Sequence, residues 1–196
     1  MRCSMNNQTI AAISTPLGPG GIGIIRISGP ESFTILKQLF VRKPSDHKTD
    51  EIDLDRRPFI SHRLYYGHVL DPVHGNILDE VLAVYMKAPK TFTREDVVEI
   101  HSHSGFVVLD RILSAVVDQG AMLSGPGEFS KRAFLNGRID LSQAEAVIDL
   151  INAPCETAVQ MAGRQMAGGL KEAVEKIISS IVEIRSRCEA NIEFAD

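Results

Sequence analysis

The stretch from Gly125 to Ile151, GPGEFSKRAFLNGRIDLSQAEAVIDLI, constrains the fold more than any other part of the chain. Its beginning has the residues of a helix start, with Gly125 as the N-cap, Pro126 at the first helical position and Glu128 near the positive end of the helix dipole. Three apolar residues then follow at the spacing of one helical face: Phe129, Ala133 and Phe134. The stretch therefore begins with a predicted amphipathic helix.

A tight polar turn separates this helix from the next one. Gly137 suits the left-handed conformation that commonly ends a helix. Asp140 and Gln143 have the spacing of a capping box, in which each side chain bonds the other residue's backbone N–H. The sequence therefore predicts two capped helices with Arg138 in the turn between them.

The rest of the chain has two parts. Up to about residue 122 the predicted elements are strands and helices, and after it they are helices alone. In the first part, alternating apolar runs predict strands at 9–14, 22–28, 64–70, 80–86 and 97–101, and longer periodic runs predict helices at 30–40 and 105–119. Residues 42–58 carry many charges of both signs and predict a solvated loop. The predicted fold class is α+β, with a mixed β-sheet and helices in residues 1–122.

Residues 123–196 predict an all-α segment, with helices at 126–136, 141–153 and 156–194 and a kink or boundary at Gly168-Gly169. The last helix has an apolar stripe at steps of three or four residues: Leu170, Val174, Ile177, Ile181, Ile184, Cys188 and Ile192. Nothing further along the chain could cover this stripe. We therefore expect the chain to be part of a longer protein, or to meet another chain there.

The composition excludes several classes of protein. The 196 residues carry a net charge of -4, so a global basic field for nucleic acid is absent. No apolar run approaches the roughly 18 residues of a membrane span, and the N-terminus has no signal-peptide core. Three widely spaced cysteines, at positions 3, 155 and 188, support neither a disulfide framework nor a cysteine metal site. We expect a cytoplasmic protein without contact to membranes.

Two glycine-containing segments resemble nucleotide loops without meeting their requirements. Gly18–Gly23 fits GxGxxG, but strand-forming residues follow it where a dinucleotide site needs a helix, so a tight turn is favoured. Gly163–Lys171 lacks the Gly-Lys-Ser/Thr ending of a phosphate loop, and the sequence contains no such ending elsewhere. We therefore expect no GTP hydrolysis by these residues.

Three polar residues, Glu99, His101 and His103, alternate along a predicted strand and project from one face. Two histidines and a carboxylate could hold a metal, but hydrogen bonding at the end of the strand is favoured, because such ligands usually need further partners elsewhere. Arg26, between Ile25 and Ile27, is either an outward residue of an edge strand or a binding residue. The nearby charged residues Glu95, Asp96, Lys131 and Arg132 are interpreted as solvated faces and local ion pairs.

Three sequence blocks resemble one family, and they occur in that family's order. They are residues 9–12 with 16–29 (TIAA and PLGPGGIGIIRISG), residues 92–103 (FTREDVVEIHSH) and residues 126–151. The chain is similar to the N-terminal part of MnmE (TrmE), the bacterial tRNA-modification GTPases. The resemblance implies an aminomethyltransferase-like domain for folate binding and dimerisation at 1–122, followed by the first part of a helical domain.

The resemblance also implies the cofactor and the residues that bind it. Arg26, Glu99 and Arg138 match the positions that hold a tetrahydrofolate derivative, the 5-formyl or 5,10-methylene form, in a cleft between the two domains. One carboxylate can accept the amine and the ring N–H of a pterin together, and a guanidinium suits the carboxylates of the glutamyl tail. No catalytic residue and no metal ligand is predicted. The family usually has glycine where this chain has Ser104.

In this family the folate supplies a one-carbon unit, and the flavoprotein MnmG is the partner. The product is 5-carboxymethylaminomethyluridine at the wobble position, U34, of certain tRNAs. GTP, magnesium and potassium would bind only in the family's GTPase domain, which is not among these residues. Two alternatives remain open: a stand-alone, folate-dependent aminomethyltransferase-like protein, and a non-catalytic helical interaction module.

Overall fold

The computed structural model describes residues 8–16, 18, 20–42 and 58–193. The chain divides between Arg138 and Ile139 into two compact units, each of which is described by itself. This division lies further along the chain than the one predicted between residues 122 and 123. The reason is that the helix after residue 127 is bound to the first unit. Most of the predicted solvated loop, 43–57, lies outside the described residues.

The first unit combines a seven-stranded sheet with three helices among its described residues. The strands are β1 Ile10–Ile13, β2 Gly23–Ser28, β3 Phe40–Arg42, β4 Arg63–Leu70, β5 Ile77–Met86, β6 Val97–Ser102 and β7 Met122–Leu123, and the helices are α1 Ser32–Leu39, α2 Phe106–Asp118 and α3 Glu128–Leu135. The strand order is β3-β4-β5-β6-β2-β1-β7. Neighbouring strands are antiparallel except β1 and β7, which are parallel.

Strict alternation along the central strands gives the sheet two different faces. In β2 and β6, Ile25, Ile27 and Ile100 are fully buried. They pack with apolar residues of α1 and α2 in one core cluster, which includes Ile35, Leu36, Leu39, Leu109, Ile112 and Val116. Because side chains alternate between faces, Arg26 and Glu99 lie on the other face, which we call the open face. The charged residues of β2 and β6 therefore lie on the open face.

The structure confirms the α+β class and most of the predicted elements. Each of the five predicted strands and both helices before residue 120 is present, with ends shifted by a few residues. The short strands β3 and β7 were not predicted. They have three and two residues, too few for a periodic pattern, and they exist because a neighbouring strand supplies their hydrogen bonds.

A buried guanidinium attaches α3 to the first unit. The Arg132 side chain is 1% exposed, and its Nη1 lies 3.1 Å from Glu95 Oε2. The same nitrogen donates to the carbonyl oxygen of Gln8 at 2.8 Å, and Nη2 donates to Glu128 Oε1 at 3.0 Å. The prediction of a solvated face was wrong for Arg132 and Glu95, whereas the predicted local ion pairing is present in the i,i+4 pair of Arg132 with Glu128. Their burial depends on partners that are distant in sequence.

The prediction for the start of α3 was wrong, and the prediction for its end is confirmed. The N-cap is Gly127 rather than Gly125, because Pro126 and Gly127 form a turn, with Gly127 at φ 69°, before the helix begins. Burial alone would raise the pKa of Glu128, but the Gly125 N–H and the Arg132 guanidinium together hold that pKa below its usual range.

At the other end of α3, Gly137 has a φ of 68°, as predicted. The Gly137 N–H donates to the Phe134 carbonyl at 2.9 Å, and the Arg138 N–H donates to the Ala133 carbonyl at 2.8 Å. These two bonds form a Schellman motif, which fixes the backbone that carries Arg138.

The second unit contains three helices in its described residues, α4 Leu141–Ile151, α5 Glu156–Met166 and α6 Gly169–Glu193. The predicted capping box is present: Asp140 Oδ1 accepts the Gln143 N–H at 2.8 Å, and Gln143 Oε1 accepts the Asp140 N–H at 2.9 Å. The bond from the Gln143 N–H, followed by that from the Ser142 hydroxyl, lowers the pKa of Asp140. The predicted helix 156–194 is divided near Gly168, where φ is 87°.

The helix α6 has no buried residue in its described length. Its apolar stripe is exposed, with Ile177 at 60%, Ile181 at 57% and Ile184 at 62%. None of the described helices has both the length and the apolar character that crossing a membrane requires. Within the described residues, no other side chain buries this apolar stripe.

We expect Arg132→Met to destabilise the first unit by about 3 kcal/mol, because it removes one member of a buried ion pair and leaves the Glu95 carboxylate without its cationic partner. All three tyrosines lie in this unit and the chain has no tryptophan, so tyrosine fluorescence during urea unfolding reports on this unit alone. Lys131→Met, at the exposed neighbouring position, is the matched control. A loss no greater than that of the control would contradict the anchoring role of Arg132.

Candidate functional site

An ion pair between β2 and β6 lies on the open face. Arg26 and Glu99 are directly opposite each other in the antiparallel register. Arg26 Nη2 lies 2.7 Å from Glu99 Oε1, and Arg26 Nε donates to the same oxygen at 2.8 Å. The two side chains are 33% and 17% exposed, so the pair is partly shielded and still accessible from solvent. Two residues 73 positions apart are thus brought into one site.

The second oxygen of Glu99 contacts a histidine. His101 Nε2 lies 3.3 Å from Glu99 Oε2, and the two residues are on the same face of β6. His103 lies beyond the end of β6, where its Nδ1 is 2.8 Å from Asp79 Oδ1. The described residues contain no group of three or more His, Cys, Asp or Glu side chains that could hold a metal. Hydrogen bonding, the favoured interpretation of this strand end, is what the geometry shows.

An aromatic ring of α3 lies beside the ion pair. The Arg26 guanidinium carbon is 5.8 Å from the centre of the Phe129 ring. This distance allows a cation–π contact, and it places an apolar surface next to the charged pair. From the sequence, Phe129 was predicted to lie on the apolar face of an amphipathic helix. Its position beside Arg26 follows from the attachment of α3 through Arg132, which sequence periodicity does not show.

The glycine-containing loop is tied to the end of β6. The Gly20 N–H donates to Ser104 Oγ at 3.0 Å, and the Ser104 hydroxyl also donates to the Gly20 carbonyl. Strand β2 follows this loop at Gly23, which confirms that the loop does not lead into a helix. Among the described residues, His62 and Arg94 are the non-glycine residues with positive φ, so Ser104 adopts its conformation without strain.

The three residues predicted to bind the ligand all belong to the first unit, and the structure joins two of them. Arg26 and Glu99 are in contact. Arg138 is exposed and follows Gly137 at the end of α3. Within the residues that the structure describes, no contact connects the Arg138 side chain to the Arg26–Glu99 pair. The binding role of the three residues stays a prediction.

A polar network that connects β2, the loop before β6 and α3 was not predicted from the sequence. Ser28 Oγ lies 2.7 Å from Thr93 Oγ1 and donates to Glu95 Oε2 at 2.8 Å, and Glu95 in turn pairs with Arg132. Asp96, predicted as solvated, accepts from the Tyr85 hydroxyl at 2.8 Å. Burial, and then this bond to Asp96, raise the pKa of Tyr85 to about 12. These hydrogen bonds hold the loop that precedes β6. In the sequence, the loop residues of the network are recognisable only as polar residues close together, at positions 93, 95 and 96.

Comparison with known proteins assigns both parts of the chain to one family. The family model for the GTP-binding protein TrmE N-terminus matches residues 9–138, and the model for the MnmE helical domain matches residues 141–196. These two matches divide the chain close to the boundary between its compact units.

Relatives named tRNA modification GTPase MnmE match almost the whole chain. The one from Syntrophobacter fumaroxidans is 53% identical over 97% of this chain and 38% of its own length. Those from Carboxydothermus hydrogenoformans and Geobacillus kaustophilus are 48% and 49% identical, over 98% and 96% of this chain and 40% and 39% of their own lengths. The chain thus spans about two fifths of the length of these curated relatives.

We expect Arg26 and Glu99 to stabilise each other in the folded state. In a double-mutant cycle with Arg26→Met and Glu99→Gln, the coupling free energy should be about 1 kcal/mol, as for a partly shielded cross-strand pair. Urea unfolding followed by tyrosine fluorescence measures it. Arg111 and Asp71, 3.4 Å apart with Arg111 59% exposed, form the control pair and should couple more weakly. Equal coupling in the two pairs would contradict the partial shielding of the site.

Proposed function

The chain belongs to the MnmE family of tRNA modification GTPases, and we propose that it provides the part of such a protein that binds a tetrahydrofolate derivative. The observation that supports this proposal best is the Glu99 carboxylate, which is oriented by Arg26 at 2.7 Å on the open face of the sheet. The proposal places the pterin against that carboxylate and the glutamyl tail towards Arg138.

The residues of the open face fit such a ligand. A carboxylate accepts two parallel N–H bonds, and a 2-amino-pyrimidinone ring offers an amine and a ring N–H side by side. Arg26 and His101 both contact Glu99, so they restrict its rotation and reduce the entropy lost on binding. Phe129, beside Arg26, gives an aromatic surface on which a flat ring can stack.

The bound tetrahydrofolate would supply a one-carbon unit. In this proposal the chain itself binds and orients the cofactor, and the reaction takes place with a flavoprotein partner, MnmG. The substrate is the wobble uridine, U34, of tRNA, and the product is 5-carboxymethylaminomethyluridine. We place this work in the reducing cytoplasm.

GTP hydrolysis belongs, in this proposal, to the remainder of the protein. The 196 residues contain no GxxxxGK[S/T] sequence, whose backbone and lysine bind nucleotide phosphates. Relatives that match this chain are named GTPases and are about two and a half times its length. GTP, magnesium and potassium would therefore bind outside this chain.

We also propose that the first unit pairs with a second copy of itself. The open face also carries exposed apolar residues on β4 and β5, with Leu64 51% and Leu82 39% exposed. Both residues lie in the antiparallel ladder of β4 and β5, away from the helices of the core cluster. An apolar sheet face that is open to solvent is typical of a surface that binds a partner.

The two alternatives have less support. A stand-alone aminomethyltransferase-like protein does not explain the match of residues 141–196 to the MnmE helical domain. A purely helical interaction module leaves the Arg26–Glu99 pair and the match of residues 9–138 without a purpose.

We expect 5-formyltetrahydrofolate to bind this chain, and Glu99→Gln to weaken the binding at least about tenfold, because one oxygen of the bidentate pair becomes a competing donor. Isothermal titration calorimetry measures both affinities. Asp110→Asn, an exposed carboxylate on α2, should bind as the unsubstituted chain does. Equal affinities for the Glu99→Gln and Asp110→Asn variants would remove Glu99 from the site.

We expect light scattering to give twice the mass of one chain, and Leu64→Lys to give the mass of a single chain, because a desolvated ammonium on the open face disfavours pairing. Val73→Lys, at a 78% exposed position in the turn between β4 and β5, is the control and should remain dimeric. A monomer at high concentration in the unsubstituted chain would refute the dimer, and a dimeric Leu64→Lys variant would exclude this face.

A further inference from the structure

Arg94 has an unusual backbone conformation for its residue type. Its φ is 57°, in the left-handed region that glycine adopts without steric conflict and that a side chain with a Cβ disfavours. It stands in the loop before β6, between Thr93 and Glu95, both of which are hydrogen-bonded to Ser28. Strained residues of this kind persist where the surrounding structure holds them, and they concentrate at binding sites.

The Arg94 guanidinium reaches the turn that ends α3. Its Nη1 donates to the Asn136 carbonyl at 3.0 Å and lies 3.6 Å from the point where a Cβ on Gly137 would be. Asn136 in turn donates from Nδ2 to the Thr93 carbonyl at 2.7 Å, so the loop and the turn hold each other. Arg94 thus contacts the turn at Asn136 and Gly137, Arg138 is the next residue of that turn, and both arginines are exposed.

Capping of α3 accounts for only part of this arrangement. A cation near the last carbonyls of a helix is favourable. The bond to Asn136 uses one of the five N–H donors of the guanidinium, however, and the residue is exposed. An exposed guanidinium in contact with this turn, together with a second exposed arginine within the same turn, can bind carboxylates or other anions.

The position of this surface relative to the proposed pterin site follows from α3. Phe129 lies 5.8 Å from Arg26 near the start of the helix, and Asn136 caps its end. Seven residues of α-helix span about 10 Å, at 1.5 Å per residue. A folate has its pterin at one end and its glutamate at the other, separated by a p-aminobenzoyl group. Each further glutamate, γ-linked, adds one carboxylate beyond that end.

We propose that Arg94, together with Arg138, binds the carboxylates of a γ-linked glutamyl chain, so that the site prefers polyglutamylated over monoglutamylated tetrahydrofolate. This inference rests on the proposed folate function and adds the form of the ligand. Arg94 is then a specificity residue: it does not contact the pterin, and it discriminates between tail lengths.

The test compares 5-formyltetrahydrofolate with its triglutamate by isothermal titration calorimetry on the whole chain. The triglutamate should bind on the order of tenfold tighter, since it adds two carboxylates and each exposed ion pair that they form with the two arginines contributes about threefold. Arg94→Gly should reduce this ratio to about threefold without changing the affinity for the monoglutamate. Arg94→Lys keeps the charge and should keep most of the ratio.

Thermal unfolding separates binding from a merely structural role. Arg94→Gly removes the bond to Asn136 but also relieves the left-handed strain, so its unfolding midpoint should stay close to that of the unsubstituted chain. If capping of α3 were the sole role of Arg94, the midpoint would fall and both ligands would bind more weakly, which would overturn the inference. Arg111→Gln, an exposed arginine on α2, is the control and should keep the tenfold ratio.

The failures of the two proposals are distinguishable. Equal affinity of the unsubstituted chain for the monoglutamate and the triglutamate would overturn the tail inference and leave folate binding intact. A full tenfold ratio in Arg94→Gly would remove Arg94 from the tail site. Failure of both ligands to bind would overturn the folate function itself, and the inference with it.

Discussion

The burial of the Arg132 guanidinium is the interaction on which the candidate site depends. An arginine that is 1% exposed must have its charge neutralised, and here Glu95 and Glu128 provide that neutralisation. Glu95 belongs to the loop before β6, and Glu128 to the first turn of α3, so the guanidinium joins helix to sheet. The position of Phe129 beside Arg26, and that of the turn carrying Arg138, both follow from this connection.

The two faces of the sheet differ because side chains alternate along its strands. The helices α1 and α2 cover the other face with apolar side chains. On the open face, the alternation of the strands leaves the Arg26–Glu99 pair exposed in part, with α3 at its side. A flat heterocycle with paired N–H donors suits such a surface, because it can stack on an aromatic ring while a carboxylate fixes its edge.

Features determined by neighbouring residues could be predicted from the sequence, and features determined by distant ones could not. The capping box of Asp140 and Gln143 and the left-handed Gly137 depend on spacings of a few residues, and both were predicted correctly. The N-cap of α3 was misplaced because Pro126-Gly127 can form either a helix start or a turn. The burial of Arg132 needs Gln8, 124 residues away, and no local pattern indicates it.

The pairing of β1 with β7 has a consequence for biosynthesis. Ile10 and Ala11 are hydrogen-bonded neighbours of Met122 and Leu123, and the Gln8 carbonyl receives its donor from Arg132. During synthesis, Ile10 and Ala11 therefore wait for Met122 and Leu123 before the outer edge of β1 is hydrogen-bonded. Until then that edge can pair with other nascent chains, so assembly of this unit during translation is sensitive to pausing between the two segments.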